Sequence, residues 1–376
     1  MPMKRYSSQY NALTGKMLAF YASEHTGENV FISPLSILIL LSLAADSTAG
    51  TTREEILQVL QDPSGDHLHG LVLGSFQKLL SRTGAFSSAN AVCLREDFAP
   101  TLNRPFLDHF LPVYDGEVFA GKDMVNDVNR WIHDKTKGLV SKVADESMSD
   151  MLFSIINAVA FDAKWDCPFM DYQIKDKYFH NADGSRSRVM MLHGKESSYI
   201  EDDTFIGFVK PYEKNDFSFM ALLPRKEKEL PDLQKIHFTE LFHSAHFDDV
   251  HIQLPEFSFS FCQNFNSFCF GEGIEEIFSD HADFSRLSSA WLKAEQIIHK
   301  TFIEVNQDGT RAAAVSMCAV MAGCLPPQEF KEVFLDRPFI FAIVHSETGI
   351  PVFVGTVNHL DDAKVRPRRL VEKLKN

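Results

Sequence analysis

Gly309-Thr310-Arg311-Ala312-Ala313-Ala314-Val315-Ser316 directly follows a strand-like run, His299 to Val305, and precedes the double proline Pro326-Pro327. A loop that only has to stay hydrated is rich in Ser, Asn, Asp, Gly and Lys. This stretch instead holds small residues broken by one charge. Side chains alternate along a strand, and those turned into a core must be small or apolar. The segment is therefore suited to entering a packed sheet. Three consecutive alanines also fit one turn of helix, alanine being the best helix former. The stretch alone leaves both readings open.

Working outward, further strands are signalled by Phe257-Ser258-Phe259-Ser260-Phe261, whose strict alternation puts three rings on one face. Phe217 to Leu223 and Val250 to Leu254 are further strand candidates, and Phe339 to Val344 with Ile350 to Val354 flank a hairpin connection, Ser346-Glu347-Thr348-Gly349. Thr51-Thr52-Arg53-Glu54-Glu55 reads as a capping box, Thr51 capping and Glu54 reaching back, ahead of a helix burying Ile56, Val59 and Leu60. Val128, Trp131 and Ile132 recur at helical spacing, with Gly138 suited to that helix's end. Helices dominate the first third and strands the last half, which predicts an α+β fold. No repeat, low-complexity block or linker divides the chain, so a single domain over residues 1–360 is expected. The tail, residues 361–376, carries Lys364, Arg366, Arg368, Arg369, Lys373 and Lys375 against three acids and reads as a flexible end.

Composition narrows the function. The chain has 376 residues, 45% of them hydrophobic, with 33 phenylalanines, enough for a large core. A net charge of −14 argues against a nucleic-acid partner, which needs a basic face. The longest mostly apolar run, Ile37 to Ala45, is too short to cross a bilayer, so no membrane partner is expected. No signal-peptide pattern opens the sequence, and no Asn-x-Ser/Thr acceptor marks N-glycosylation. An intracellular chain fits, as does an extracellular or secreted one whose signal peptide was removed. Cys93, Cys167, Cys262, Cys269, Cys318 and Cys324 show no metal-knuckle or redox spacing and read as free thiols. His67 with His69, and His243 with His246, lack an obvious third ligand, so neither a metal nor a cofactor is expected. Catalytic signatures are missing too: there is no G-x-S-x-G elbow, H-E-x-x-H helix or phosphate-binding loop, and no enzyme is predicted.

Five stretches together resemble one family, the serpins, over nearly the whole chain. They are Asn29-Val30-Phe31-Ile32-Ser33-Pro34-Leu35-Ser36-Ile37; Asn157-Ala158-Val159-Ala160-Phe161 leading to Lys164-Trp165 and Pro168-Phe169; and Phe278-Ser279 with Ala282-Asp283-Phe284-Ser285. The others are the hinge Gln307-Asp308-Gly309-Thr310 with Ala312 to Ala314, and Arg337-Pro338-Phe339-Ile340-Phe341 followed by Gly355-Thr356-Val357-Asn358-His359. The resemblance implies a large, mostly antiparallel central sheet accompanied by further sheets. It also implies an exposed reactive-centre loop over about 308–327, offered as bait to a protease. The Val128–Ile132 helix would lie across the main sheet's face.

In the family's register the cleaved bond falls at Gly323-Cys324, with Met321 and Ala322 as alternative positions. Ala319-Val320-Met321-Ala322 is small and uncharged, which suits an elastase-like or subtilisin-like pocket, or a chymotrypsin-like one if the cut follows Met321. The implied mechanism is suicide inhibition: acyl-enzyme formation, insertion of the freed arm as a new strand, and stalled deacylation. Gly309, Thr310, Arg311, Ala312, Ala313 and Ala314 form the hinge by resemblance. Arg311 departs from the family pattern, in which an acidic residue is common. Ser33, Ser36, Asn157 and His299 match the polar cluster where the sheet parts, and Trp165 matches the point where the loop goes in. The implied partner is a target protease held covalently by a monomer. Two other readings stay open: a non-inhibitory serpin acting as chaperone or carrier, and a cross-class inhibitor of cysteine proteases.

Overall fold

The computed structural model describes residues 3–62, 68–121, 124–140, 144, 153–226, 230–310 and 330–363. Four helices come early: α1 (Met3–Glu24), α2 (Pro34–Ser47), α3 (Gly50–Val59) and α4 (Leu68–Ser81), with strand β1 (Val30–Ile32) between the first two. Then follow β2 (Phe86–Leu94), β3 (Gly116–Ala120), α5 (Met124–Lys135), β4 (Phe153–Phe161) and β5 (Ala163–Lys164). The middle of the chain supplies β6 (Ile174–His180), β7 (Arg186–Glu201), β8 (Phe205–Pro211), β9 (Phe217–Pro224), α6 (Phe238–Ser244), β10 (His246–Pro255) and β11 (Phe257–Asn264). The last part holds α7 (Asn266–Gly271), β12 (Gln296–Val305), β13 (Gly309–Thr310), β14 (Lys331–Phe334), β15 (Phe339–His345) and β16 (Ile350–Val357). Helices early and strands late give the α+β order read from the sequence.

Two sheets result. A nine-stranded one runs β1-β16-β15-β9-β8-β7-β10-β14, with β6 paired to β7. A seven-stranded one runs β3-β2-β4-β12-β13-β5, with β11 on the outer side of β12. Phenylalanines pack between them, Phe353 against Phe86 and Phe161 and Phe31 against Phe259, while Phe31 stacks on Phe353 and Phe341, and Phe219 on Phe341. Phe257 and Phe259 of the alternating run also stack, at 5.8 Å, while Ser258 and Ser260 are exposed. Among the described residues no helix is long and apolar enough to cross a membrane.

The β4 run Phe153-Ser154-Ile155-Ile156-Asn157-Ala158-Val159-Ala160-Phe161 is buried along its whole length. Both of its faces are covered, which is why it reads as continuous rather than alternating. Its odd-numbered Phe153, Ile155, Val159 and Phe161 join the main core. Ile156, Ala158 and Ala160 instead join Ala89, Ala91 and Cys93 of β2 beneath Met124, Val128 and Ile132 of α5. Small residues on that face let the helix lie close against the sheet. The α5 exit is also as expected, with Gly138 at φ +75° and its N–H bonded to His133 O.

The capping box at Thr51 does not form. Helix α3 begins at Gly50, preceded by Ala49 with no side-chain cap. The neighbouring polar groups are taken by tertiary contacts: Thr52 Oγ1 accepts Asp283 N–H, and Glu55 accepts the N–H groups of Glu275 and Glu276. Ile56, Val59 and Leu60 are buried as read.

Candidate functional site

The central feature is a seam between two parallel strands. β12 and β4 pair from Gln296↔Ser154 to Phe302↔Ala160, while β2 and β11 pair antiparallel on the outer sides. A parallel pair is slightly less stable per residue than an antiparallel one. Here one polar network bridges the pair.

His299 of β12 and Asn157 of β4 are opposite in the register, and their side chains meet at 3.0 Å. The Ser33 N–H donates to His299 Nε2 at 3.1 Å, so Nε2 is the acceptor and Nδ1 carries the proton given to Asn157 Oδ1. Asn157 Nδ2 donates onward to Asn90 Oδ1, and Asn90 to Tyr114 O and Gln77 Oε1. Ser33 Oγ bonds Ser36 Oγ and donates to Val352 O. Ser33, Ser36, Asn157 and His299 are thus brought together, all within 1% of full burial. Burial depresses the His299 pKa to about 3.

This depression has a sign. The unfolded imidazole titrates near 6.5, so the neutral ring's contribution is complete above that pH and is lost as pH falls toward about 3. Protonation also removes the acceptor that Ser33 N–H needs. Near pH 4 the loss comes to about 3 kcal/mol. We expect the melting temperature of wild type to fall more steeply between pH 6.5 and 4 than that of His299→Asn. Parallel curves would remove His299 as the acid-sensitive group.

At one end of the seam the two strands no longer touch. β12 turns at Asn306-Gln307-Asp308, where Asn306 Oδ1 accepts the N–H of Asp308 and of Gly309. The chain returns as β13, paired antiparallel with β12 through Val305↔Thr310 and with β5 through Gly309↔Lys164 and Thr310↔Ala163. Since β5 continues β4, these two residues already lie between the strands that pair directly lower down. The approach is close: a Cβ on Gly309 would sit 2.3 Å from Ala163 O and 2.7 Å from Lys164 Cα. Thr310 is fully buried, with its hydroxyl 2.6 Å from Tyr212 Oη. Burial pushes the Tyr212 phenol well up, and the Thr310 bond opposes this.

Trp165 frames that mouth. Its ring stacks on Tyr212 at 4.6 Å, its Nε1 donates to Asn306 O, and its backbone N–H donates to Asp308 O. Behind it, Lys210 forms a buried 2.7 Å ion pair with Glu196 and also donates to Cys167 O. Burial raises the Glu196 carboxyl above its usual range, opposed by Lys210.

Gly309, Thr310 and Trp165 therefore gather at the mouth, while Ser33, Ser36, Asn157 and His299 gather along the seam. Arg311, Ala312, Ala313, Ala314, Met321, Ala322, Gly323 and Cys324 lie outside the described residues, as do Cys318 and residues 364–376 of the basic tail. Tyr212, Asn306, Asn90 and Gln77 were not singled out from the sequence. Of these only Asn306 carried a signal, heading the turn Asn306-Gln307-Asp308-Gly309. Among the described residues no three His, Cys, Asp or Glu gather as a metal site, and Cys93 and Cys269 are buried thiols while Cys167 and Cys262 are exposed ones.

The mixed sheet thus carries a polar network across its parallel seam, with Gly309 and Thr310 wedged between strands at one end. The chain belongs to the serpin family: the family described as Serpin (serine protease inhibitor) matches residues 8–360. Members of this family are generally protease inhibitors rather than enzymes. The chain is similar to Serpin-Z10 of Arabidopsis thaliana, at 31% identity over 94% of this chain and 96% of that one. It is also similar to Iris of Ixodes ricinus, at 30% identity over 90% and 94%. Among solved structures, the thermophilic serpin Tengpin in its native state shares 30% identity and a TM-score of 0.83, covering 93% of this chain and 94% of that one. Human thyroxine-binding globulin matches in fold alone, at 21% identity with a TM-score of 0.84, over 96% of this chain and 100% of that one.

Proposed function

We propose that this chain is a suicide inhibitor of serine proteases, acting through cleavage of the segment between β13 and β14 and insertion of its N-terminal arm into the β12–β4 seam. The wedge carries this reading: Gly309 and Thr310 already pair between β12 and β5. A strand continuing β13 places Ala312, Ala314 and Ser316 on the Thr310 side, by simple alternation. All are small enough for the interior. Arg311 falls on the opposite side, so the charge that breaks the small-residue run need not enter the core.

The chemistry requires no cofactor. The protease serine attacks the carbonyl at the cut, Gly323-Cys324 in the family's register, and forms an ester with release of the C-terminal arm. About fourteen residues then insert at about 3.3 Å each, carrying the tethered enzyme roughly 46 Å. Displacement of its catalytic groups stops hydrolysis of the ester. The uncharged Ala319-Val320-Met321-Ala322 fits elastase-like or subtilisin-like pockets, and Met321 a chymotrypsin-like one.

Mixing the protein with pancreatic or neutrophil elastase is expected to yield a complex that survives boiling in SDS, with trypsin inhibited far more slowly. A complex with trypsin in preference to elastase would overturn the specificity. Clipping with no complex, by every serine protease tried, would overturn inhibition and favour a non-inhibitory serpin.

A further inference from the structure

The chain's net charge is −14, yet one face at the β6–β7–β10–β14 end of the larger sheet is cationic. The register sets Lys195 against His251, His193 against Gln253, Lys175 against Met191 and Lys177 against Val189. Alternation then puts Lys175, Lys177, His193, Lys195 and His251 on the same face. All three lysines are exposed. Burial, with Lys175 and Lys177 adding to it, holds the His193 pKa down, so these two lysines lie close enough to act on His193. Two nearby carboxylates are already engaged elsewhere. Asp176 and Glu196 belong to the opposite face and are engaged by Arg188 and Lys210. Glu332 lies opposite His251 on the cationic side, and Glu201, further along β7, is engaged by Arg225 and Lys331.

This face is also where the loop's C-terminal end is seated. Phe330 stacks on His251 at 4.3 Å, and the Lys195 ammonium lies 4.9 Å from the same ring. Cys324 precedes Phe330 by six residues, a reach of at most about 20 Å. Strand spacing of about 4.8 Å puts β6 only about 10 Å from β10. An enzyme engaged at that bond is therefore held within about 20 Å of Phe330 and the lysine beside it.

We propose that this face is a docking surface for acidic residues beside the active-site cleft of the target protease; the proposal rests on the inhibitor reading above. Its contribution is to encounter. Complementary charge steers association and leaves later chemistry untouched.

The test uses whichever protease gives the SDS-stable complex, and compares wild type with the triple variant Lys175→Gln, Lys177→Gln, Lys195→Gln. The association rate is expected to fall about tenfold or more at low ionic strength, and the difference to vanish at high salt. Stoichiometry and melting temperature stay unchanged. Equal rates at low salt would overturn the docking surface while leaving the inhibitor intact. The docking surface is likewise overturned if the two proteins differ only once a sulfated polysaccharide is added, since the face would then serve a polyanion. Failure of wild type to form any complex removes the inhibitor reading, and this surface with it, before the variant is compared.

Discussion

Thr310→Arg is expected to convert the protein from an inhibitor into a substrate: the loop is still cut, but the protease is released active. Thr310 is fully buried between β12 and β5, its hydroxyl on Tyr212. A guanidinium there has no carboxylate partner on Tyr212, Val305 or Ala163. Burying an uncompensated charge costs several kcal/mol even after relaxation. Each 1.4 kcal/mol slows insertion about tenfold against a deacylation step that is unchanged. The stoichiometry of inhibition, near one for an efficient trap, should therefore rise more than tenfold, read as clipped protein on a gel and as regained protease activity. Thr310→Val is the control. It keeps the volume and loses one hydrogen bond, about 1 kcal/mol, and should still inhibit. Undiminished inhibition by the arginine variant would show that insertion does not pass through the wedge.

The mouth was only half legible in the sequence. The small-residue run alone leaves insertion and a helical turn both open, and Gly309 and Thr310 are marked as hinge residues through the family resemblance. What partners them could not be seen. Tyr212 reaches Thr310 across 98 residues of chain, and Asn90 reaches Asn157 across 67. Such pairings follow from sheet order, and local patterning carries no trace of them. Buried runs such as β9, read from Phe217 to Leu223, were plain because their side chains are buried along the whole strand. The capping box read from Thr51 and Glu54 fails for the same reason: the helix starts at Gly50, and the adjoining Thr52 and Glu55 serve the backbone of residues 275–283, more than two hundred positions away.

The second large effect concerns stored free energy. If the native molecule is a trap waiting for its own arm, then a single cut should make it more stable. Wild type has a seam closed along Gln296–Phe302 by a parallel ladder and the His299–Asn157 bridge. Inserting about fourteen residues between β12 and β4 makes both neighbours antiparallel to the new strand and adds ladder bonds along its length. At about 1 kcal/mol for each net bond the gain is on the order of 10 kcal/mol. For a chain of this size, with unfolding entropy of about 2.1 cal/mol/K per residue, that corresponds to a rise of roughly 10–20 °C in melting temperature. The check is calorimetry on intact protein and on protein nicked in the loop and freed of protease. The Thr310→Arg variant, nicked at the same bond, should gain much less, because its arm stays outside. Equal melting temperatures for intact and nicked wild type would mean that no arm enters the seam, and that the polar bridge at His299 closes a sheet which never opens.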